Sequence, residues 1–192
     1  EELSGPRVAA TVAAAVGSGL WLLGSSNPIR DADLAPILDQ PGEVFANRGL
    51  AGIDGTLATA FGIALARSRP LTVLCGDLTF LHDAGALAIG PGEPIPDVRV
   101  VVADDSGGSI FSTLEYGQER FSNVFERVFA TDPGVDVAAL ARGYGVAARR
   151  VESAEALADA LASPVRGIEV VAASVDREHR RRLDEELKAC AS

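Results

Sequence analysis

The chain has 192 residues, is 47% hydrophobic and carries a formal net charge of −10 at pH 7. This length suits one well-buried domain and is short for two. The acidic balance argues against nucleic acid or an anionic membrane as the main partner. No apolar run reaches the roughly 18 residues that a membrane span needs, and no signal peptide is evident. We expect a cytoplasmic protein.

The first residue is Glu1 rather than Met. This start favours a piece of a larger polypeptide. We therefore expect residues 1–192 to form a single domain, at the C-terminal end of a longer chain.

Strand and helix patterns alternate along the chain. Apolar runs predict six strands, at residues 20–23, 44–46, 71–75, 98–103, 145–151 and 168–172. Apolar residues at helical spacing predict helices at residues 8–16, 28–38, 54–66, 154–161 and 176–188. Asn27 is the expected N-cap of the second helix, with Pro28 at its first position. This alternation predicts an α/β fold with an open, doubly wound, mostly parallel six-stranded sheet flanked by helices.

Ligands of such sheets bind outside the carboxyl ends of the strands. The loops after the predicted strands are therefore the candidate site, at residues 24–28, 47–55, 76–83 and 104–114. The strongest signal in them has two halves. One buried strand ends in Gly76-Asp77, and the next ends in Asp104-Asp105 followed by two glycines.

These strand ends suit a divalent metal and a diphosphate. Mg²⁺ takes few protein oxygens and completes its octahedron with waters and phosphate oxygens. Asp77, Asp105 and a backbone carbonyl near Gly107 would leave positions open for a diphosphate. Glycines allow the main chain to approach the phosphates, and N–H groups after a strand can cradle them. The alternative is that these residues only form turns.

The two halves together resemble the signature of thiamine diphosphate (ThDP) enzymes, which runs from Gly-Asp-Gly to Asn-Asn. This chain has Leu78 in place of the second Gly and Asp104-Asp105 in place of the paired Asn. The loops 24–31, 47–55 and 107–112 are similar to those of the MenD family, the 2-succinyl-5-enolpyruvyl-6-hydroxy-3-cyclohexene-1-carboxylate synthases of menaquinone biosynthesis. The resemblance covers essentially the whole chain, as the C-terminal diphosphate-binding domain of such an enzyme.

The resemblance implies a cofactor, ThDP, and a metal, Mg²⁺ or Mn²⁺. Asp77, Asp105 and the Gly107 carbonyl would hold the metal. Ile53 would lie under ThDP and bend its two rings into a V. The residues that would line the diphosphate are Ser26, Leu78, Thr79, Gly108, Ser109 and Ile110.

The resemblance also implies two acidic substrates, 2-oxoglutarate and isochorismate. Arg30 and Arg48 would bind their carboxylates, since a planar guanidinium suits bidentate carboxylate binding. Phe111 and Leu114 would shape that pocket. The alternative for both arginines is a surface ion pair with a neighbouring aspartate.

The implied reaction decarboxylates 2-oxoglutarate and adds the succinyl unit to isochorismate. The family places the Glu that activates ThDP on the N-terminal, pyrimidine-binding domain of a neighbouring subunit. No catalytic residue is therefore assigned in this chain. We expect the chain alone to be inactive and its enzyme to be a homodimer or homotetramer.

Other functions remain open from the sequence. Another ThDP-dependent 2-oxoacid decarboxylase or carboligase could share this domain, and a non-catalytic cofactor-binding module is a candidate of a different class. A dinucleotide-binding oxidoreductase is disfavoured because no Gly-x-Gly-x-x-Gly follows the first strand. A nucleotide hydrolase is disfavoured because the chain has no Gly-Lys-Ser/Thr.

Three further features have ordinary explanations. His82 could be a base, but a lone His near a helix more often caps or packs. Cys75 lies in an apolar run and is expected to pack as a small hydrophobe. The arginines 180–182 face the acids 184–186 at helical spacing, which predicts a solvated, self-paired helix face.

Overall fold

The computed structural model describes residues 3–35, 42–50 and 52–190. Its strands are β1 Leu20–Leu23, β2 Glu43–Ala46, β3 Leu71–Gly76, β4 Val98–Asp104, β5 Ala147–Val151 and β6 Ile168–Ser174. They form one sheet in the order β2-β1-β3-β4-β6-β5, and every pairing is parallel. The predicted six-stranded parallel sheet is confirmed, and each strand boundary lies within two residues of its predicted position.

Eight α-helices occur in the described part of the chain. They are α1 Gly5–Val16, α2 Asn27–Asp33, α3 Thr56–Arg67, α4 Asp77–His82, α5 Ser122–Phe125, α6 Val137–Gly143, α7 Ala154–Leu161 and α8 Arg177–Cys190. The predicted helix 28–38 ends at Asp33, and its positions 36–38 lie outside the described residues. None of the described helices combines the length and apolar character that a membrane crossing needs.

Apolar side chains on both faces of the central strands hold the helices against the sheet. On one face, Val73 and Cys75 of β3 pack with α3, α4 and α6. On the other, Leu74 of β3 and Val101 of β4 pack with α1 and α7. Cys75 is fully buried, which confirms its predicted role as a small core residue. Burying each such side chain contributes about 1.5–3 kcal/mol, so this two-sided core stabilises the edge on which the site lies.

The strand order reverses direction between β1 and β3. From β1 the chain moves outward to the edge strand β2, and from β3 it proceeds in the opposite direction to β4. The loops after β1 and β3 therefore diverge and leave a crevice at the carboxyl ends of these strands. Open α/β sheets bind their ligands at such a switch point.

The start of α2 differs from the predicted cap. The helix begins at Asn27 itself, and the capping position is Ser26, which has φ +76° and makes no side-chain cap bond. Asn27 instead donates its side-chain amide to Oγ of Ser109, at 2.6 Å. A tertiary contact at the crevice therefore replaces the local cap.

Candidate functional site

A pocket of about 170 Å³ opens at the switch point, along the carboxyl ends of β1, β3 and β4. Three of the four predicted loops contribute several residues each, and the fourth contributes Ile53. The predicted site residues that line it are Ser26, Ile53, Asp77, Leu78, Thr79, Asp105, Gly107, Gly108, Ser109, Ile110 and Phe111. The fold thus brings together side chains that are up to 85 residues apart in sequence, from Ser26 to Phe111.

Asp77 is the first residue of α4, directly after β3, and only 3% of it is exposed. Its Oδ1 accepts from the N–H of Leu78 and its Oδ2 from the N–H of Gly107, both at 2.7 Å. Burial raises the pKa of Asp77 to about 6, and the nearby charge of Asp104 adds to this. Asp77 therefore fixes the distance between the ends of β3 and β4.

Asp105 follows β4 and lies at the end of a hydrogen-bonded chain. Asn27 donates to Oγ of Ser109, and Ser109 in turn donates to Oδ2 of Asp105. Burial raises the pKa of Asp105 to about 7, the Ser109 hydrogen bond opposes this rise, and the charge of Asp77 adds to it. Two neighbouring carboxylates whose pKa values are both raised above 3.8 form a site that favours a bound cation.

The two glycines after Asp105 are required by the packing. Gly107 has φ +121°, and a Cβ on it would lie 2.2 Å from the carbonyl oxygen of Ala130. A Cβ on Gly108 would lie 2.5 Å from the carbonyl oxygen of Phe129. The N–H of Gly108 donates to Ala130 at 2.6 Å. The N–H groups of Gly107 and Gly108 thus have partners within the protein, while Gly108 still lines the pocket.

Three of the predicted substrate-binding residues lie outside this pocket. Arg30 is exposed, and its Nη1 donates to the carbonyl oxygen of Ser26 at 2.7 Å. Arg48 is exposed in the loop after β2, and Leu114 is 49% exposed. His82 is exposed at the end of α4 and does not line the pocket. The structure therefore places both arginines on the exposed surface, outside the pocket that Asp77 and Asp105 line.

The prediction for the arginine run of α8 is wrong for Arg180 and confirmed for its neighbours. Arg180 lines the pocket and pairs with Asp31, a residue of α2 whose side chain is only 3% exposed. Arg181 pairs with Glu185 at 3.2 Å and Arg182 with Glu186 at 3.7 Å, both on the helix surface. Local acids at helical spacing gave no indication of the distant partner.

The polar groups of the pocket limit the kind of metal site that it can form. Among residues 3–35, 42–50 and 52–190, no three His, Cys, Asp or Glu side chains group as a complete metal site. Of the three carboxylates that line the pocket, Asp31 is paired with Arg180, which leaves Asp77 and Asp105 for a metal. The buried Oδ1 of Asn27 accepts no hydrogen bond. Two protein carboxylates with open positions suit Mg²⁺ completed by phosphate oxygens, and they do not suit an all-protein cage. The residues present therefore fit a metal–diphosphate group.

A parallel sheet with a pocket at its switch point is typical of α/β domains that bind a cofactor, and this chain has both features. Residues 32–175 match the family described as thiamine pyrophosphate enzyme, C-terminal TPP binding domain, and the chain belongs to this family. Thiamine pyrophosphate and ThDP are the same compound. The matched range includes Ile53, Asp77 and the loop from Asp105 to Phe111, and thus most of the pocket.

Two individual proteins are similar to nearly the whole chain. The chain is 51% identical over 98% of its length to the 2-succinyl-5-enolpyruvyl-6-hydroxy-3-cyclohexene-1-carboxylate synthase of Paenarthrobacter aurescens. It is also 51% identical over 95% of its length to the synthase of the same name from a Nocardioides species. The chain spans about a third of the length of these relatives, 34% and 35% respectively.

A solved structure shares the fold. Benzoylformate decarboxylase from Polynucleobacter necessarius superposes with a TM-score of 0.75 over 91% of this chain and 33% of its own, at 20% identity. At that identity the likeness supports the fold alone. The predicted resemblance to the MenD family is confirmed by the sequence relatives.

Proposed function

We propose that this chain is the diphosphate- and metal-binding domain of a ThDP-dependent synthase. Its reaction would be the decarboxylation of 2-oxoglutarate and the addition of the succinyl unit to isochorismate. The observation that carries the proposal is the pair of carboxylates, the buried Asp77 and the half-buried Asp105, at the switch point of the sheet in a chain of the ThDP-binding family. The substrates are proposed from the names of relatives that are about half identical.

The metal would be Mg²⁺ or Mn²⁺, held by Asp77, Asp105 and the carbonyl oxygen of Gly107. That carbonyl accepts one hydrogen bond, from the N–H of Ser109 at 3.0 Å, and keeps a second lone pair for a cation. Each carboxylate is already oriented by a donor within the protein. Such pre-oriented ligands support a metal site that assembles without rearrangement of these loops.

The remaining lining residues would hold the cofactor. Ser26, Leu78, Thr79, Gly108, Ser109 and Ile110 would surround its diphosphate. Ile53, which also lines the pocket, would support the bend between the two rings. When bound, ThDP supplies an electron sink for decarboxylation. The protein contributes orientation and a fixed electrostatic environment.

The pocket supports the idea that this domain holds only part of the active site. Its volume of about 170 Å³ is below the roughly 300–1,000 Å³ of typical small-molecule sites. Every acidic side chain that lines it is an aspartate already paired or hydrogen-bonded within the described residues. The activating Glu would come from the N-terminal pyrimidine-binding domain of a neighbouring subunit, in a homodimer or homotetramer.

Arg30 and Arg48 would bind substrate carboxylates at the rim, with Phe111 and Leu114 shaping that part of the site. Both arginines are exposed, and Arg30 lies beside Ser26, which lines the pocket. These positions support a substrate site at the rim of the cofactor pocket. Phe111 lines the pocket, and its ring also contacts that of Tyr116, which is 40% exposed. The substrate site would thus adjoin the cofactor site.

Isothermal titration calorimetry of the 192-residue chain with ThDP tests the proposal. We expect binding in the presence of Mg²⁺ and none after chelation of divalent ions. Asp105→Asn should weaken the metal-dependent binding, while the exposed Asp159→Asn of α7 serves as a matched control. Binding that is equally tight without metal would contradict the proposed site. Steady decarboxylation of 2-oxoglutarate by this chain alone would contradict the shared active site.

A further inference from the structure

Arg180 is the one cation among the described residues that line the pocket. Its side chain is 11% exposed, and its Nη1 donates to Oδ1 of Asp31, whose side chain is 3% exposed. The two residues are 149 positions apart and join α8 to α2. A nearly buried guanidinium at the wall of a pocket needs an explanation beyond surface pairing.

The charges of the pocket wall favour a role for Arg180 in anion binding. The acids that line the pocket are Asp31, Asp77 and Asp105, so the wall remains acidic even with Arg180. A divalent metal would offset the charges of Asp77 and Asp105. Arg180 would then be the remaining positive group facing an anionic ligand. A guanidinium presents five N–H donors and matches phosphate geometry, so one bond to Asp31 leaves capacity for another anion.

The neighbourhood of Arg180 is built to hold it. A Cβ on Gly5 of α1 would lie 2.3 Å from Oδ2 of Asp31 and 2.7 Å from Nη1 of Arg180. Helix α8 is also fixed at its start, where Nη1 of Arg177 donates to the carbonyl oxygen of Ser106 at 3.1 Å. Arg181 likewise donates to the carbonyl oxygen of Gly117. The part of α8 that carries Arg180 is therefore held by hydrogen bonds to three other segments of the chain.

We infer that Arg180 is a binding residue for the anionic group of the pocket ligand and that Asp31 orients it. The inference rests on the proposed function, in which that group is the cofactor diphosphate. A buried ion pair with only a structural role makes a different prediction. In that case, loss of either partner would damage the site in the same way, because each would leave the other buried and uncompensated.

The test compares opposite effects of the two partners. Calorimetry with ThDP and Mg²⁺ is performed on the wild-type chain, Arg180→Gln, Asp31→Asn and Arg182→Gln. We expect at least tenfold weaker binding for Arg180→Gln. Asp31→Asn should bind as tightly as the wild type or more tightly, because Asn still accepts from Nη1 while a negative charge leaves the pocket. Arg182→Gln is the matched control on the same helix, with 69% of its side chain exposed.

Magnesium pyrophosphate, which lacks the rings, is titrated in parallel. Arg180→Gln should weaken its binding by a factor similar to that for ThDP. Unchanged binding by Arg180→Gln, or equal losses for Arg180→Gln and Asp31→Asn, would overturn the inference. If Arg180→Gln does not fold, Arg180→Lys replaces it. We expect the affinity of this variant for ThDP with Mg²⁺ to lie between two values, that of the wild-type chain with Mg²⁺ and that of the wild-type chain without metal. A Lys variant that is indistinguishable from Arg182→Gln would overturn the inference.

The same data separate this inference from the proposed function. A wild-type chain that binds magnesium pyrophosphate but not ThDP would refute the proposed cofactor and leave the role of Arg180 to be decided by its variants. A wild-type chain that binds neither ligand would refute both. Wild-type binding of ThDP without any effect at Arg180 would refute the inference alone.

Discussion

Gly107→Ala tests whether the loop between Asp105 and Ile110 is as tightly constrained as the structure indicates. The residue has φ +121°, a region that costs a residue with a side chain about 1–3 kcal/mol. Its new Cβ would lie 2.2 Å from a backbone oxygen, that of Ala130, which cannot rotate away as a side chain would. A shift of the loop would also strain the 2.7 Å hydrogen bond to Asp77, and a bond to a charged group contributes about 1.5–3 kcal/mol.

These terms together predict a loss of about 3–6 kcal/mol in the free energy of unfolding, a large part of the 5–15 kcal/mol typical of a domain. Urea unfolding followed by the fluorescence of Trp21, the single tryptophan, measures this loss. Gly134→Ala is the matched control, since Gly134 has φ +60° and its Cβ would meet nothing within 4 Å. It should cost about 1–2 kcal/mol. If Gly107→Ala costs no more than Gly134→Ala, the packing argument is wrong.

Substitutions of three charged side chains should have measurable effects. The pKa of Asp77 is raised from 3.8 to about 6, so the folded chain binds this proton more tightly than the unfolded chain. The chain should therefore lose about 2–3 kcal/mol of stability from this group as pH rises from 4 to 7. Asp77→Asn should lack this slope in urea titrations, and identical slopes would contradict the assignment. Arg150→Met should destabilise the chain by about 2 kcal/mol, because it leaves Asp104 buried without the partner that lies 2.9 Å away. Adding Asp104→Asn should restore much of this loss. Purely additive losses in the free energy of unfolding would count against the pairing. In the assembled enzyme, Arg48→Ala should raise KM for 2-oxoglutarate at least about tenfold, which is equivalent to about 1.4 kcal/mol. Arg67→Ala, on the exposed side of α3, is the control and should leave KM unchanged.

The strands and the binding edge could be predicted because their signals are local. The runs at β3 and β4 are continuously apolar, as strands buried on both faces require. Because these strands are parallel and adjacent, their carboxyl ends necessarily bring Asp77 and Asp105 to one edge. Alternation of strands and helices was therefore enough to locate the metal ligands proposed for the site.

The segment from Ser109 to Ala130 could not be predicted in the same way. It consists of short 3₁₀ turns, one turn of α-helix and a π-helical turn, without a sustained apolar period. Ring contacts stabilise it instead, such as the stacking of Tyr116 on Phe129 with centroids 4.5 Å apart. Such contacts depend on the folded chain and leave no regular spacing in the sequence.

Arg180 shows how local patterning can mislead. Acids four to six residues after Arg180 suggest pairs within α8, and Arg181 and Arg182 form such pairs. Arg180 faces inward, because the helix turns its side chain toward α2, where Asp31 lies. Neither the distance of 149 residues nor the burial of Asp31 could be read from the spacing of charges.

In the proposed site, Asp77 and Asp105 hold a metal that anchors the diphosphate of ThDP. A crystal of the chain grown with ThDP and Mn²⁺ would reveal this metal, because anomalous scattering locates Mn²⁺ without reference to the protein. We predict one anomalous peak coordinated by both carboxylates and by the carbonyl oxygen of Gly107, with the diphosphate completing its ligands. Ordered ThDP in the pocket with no peak between Asp77 and Asp105 would contradict the claim.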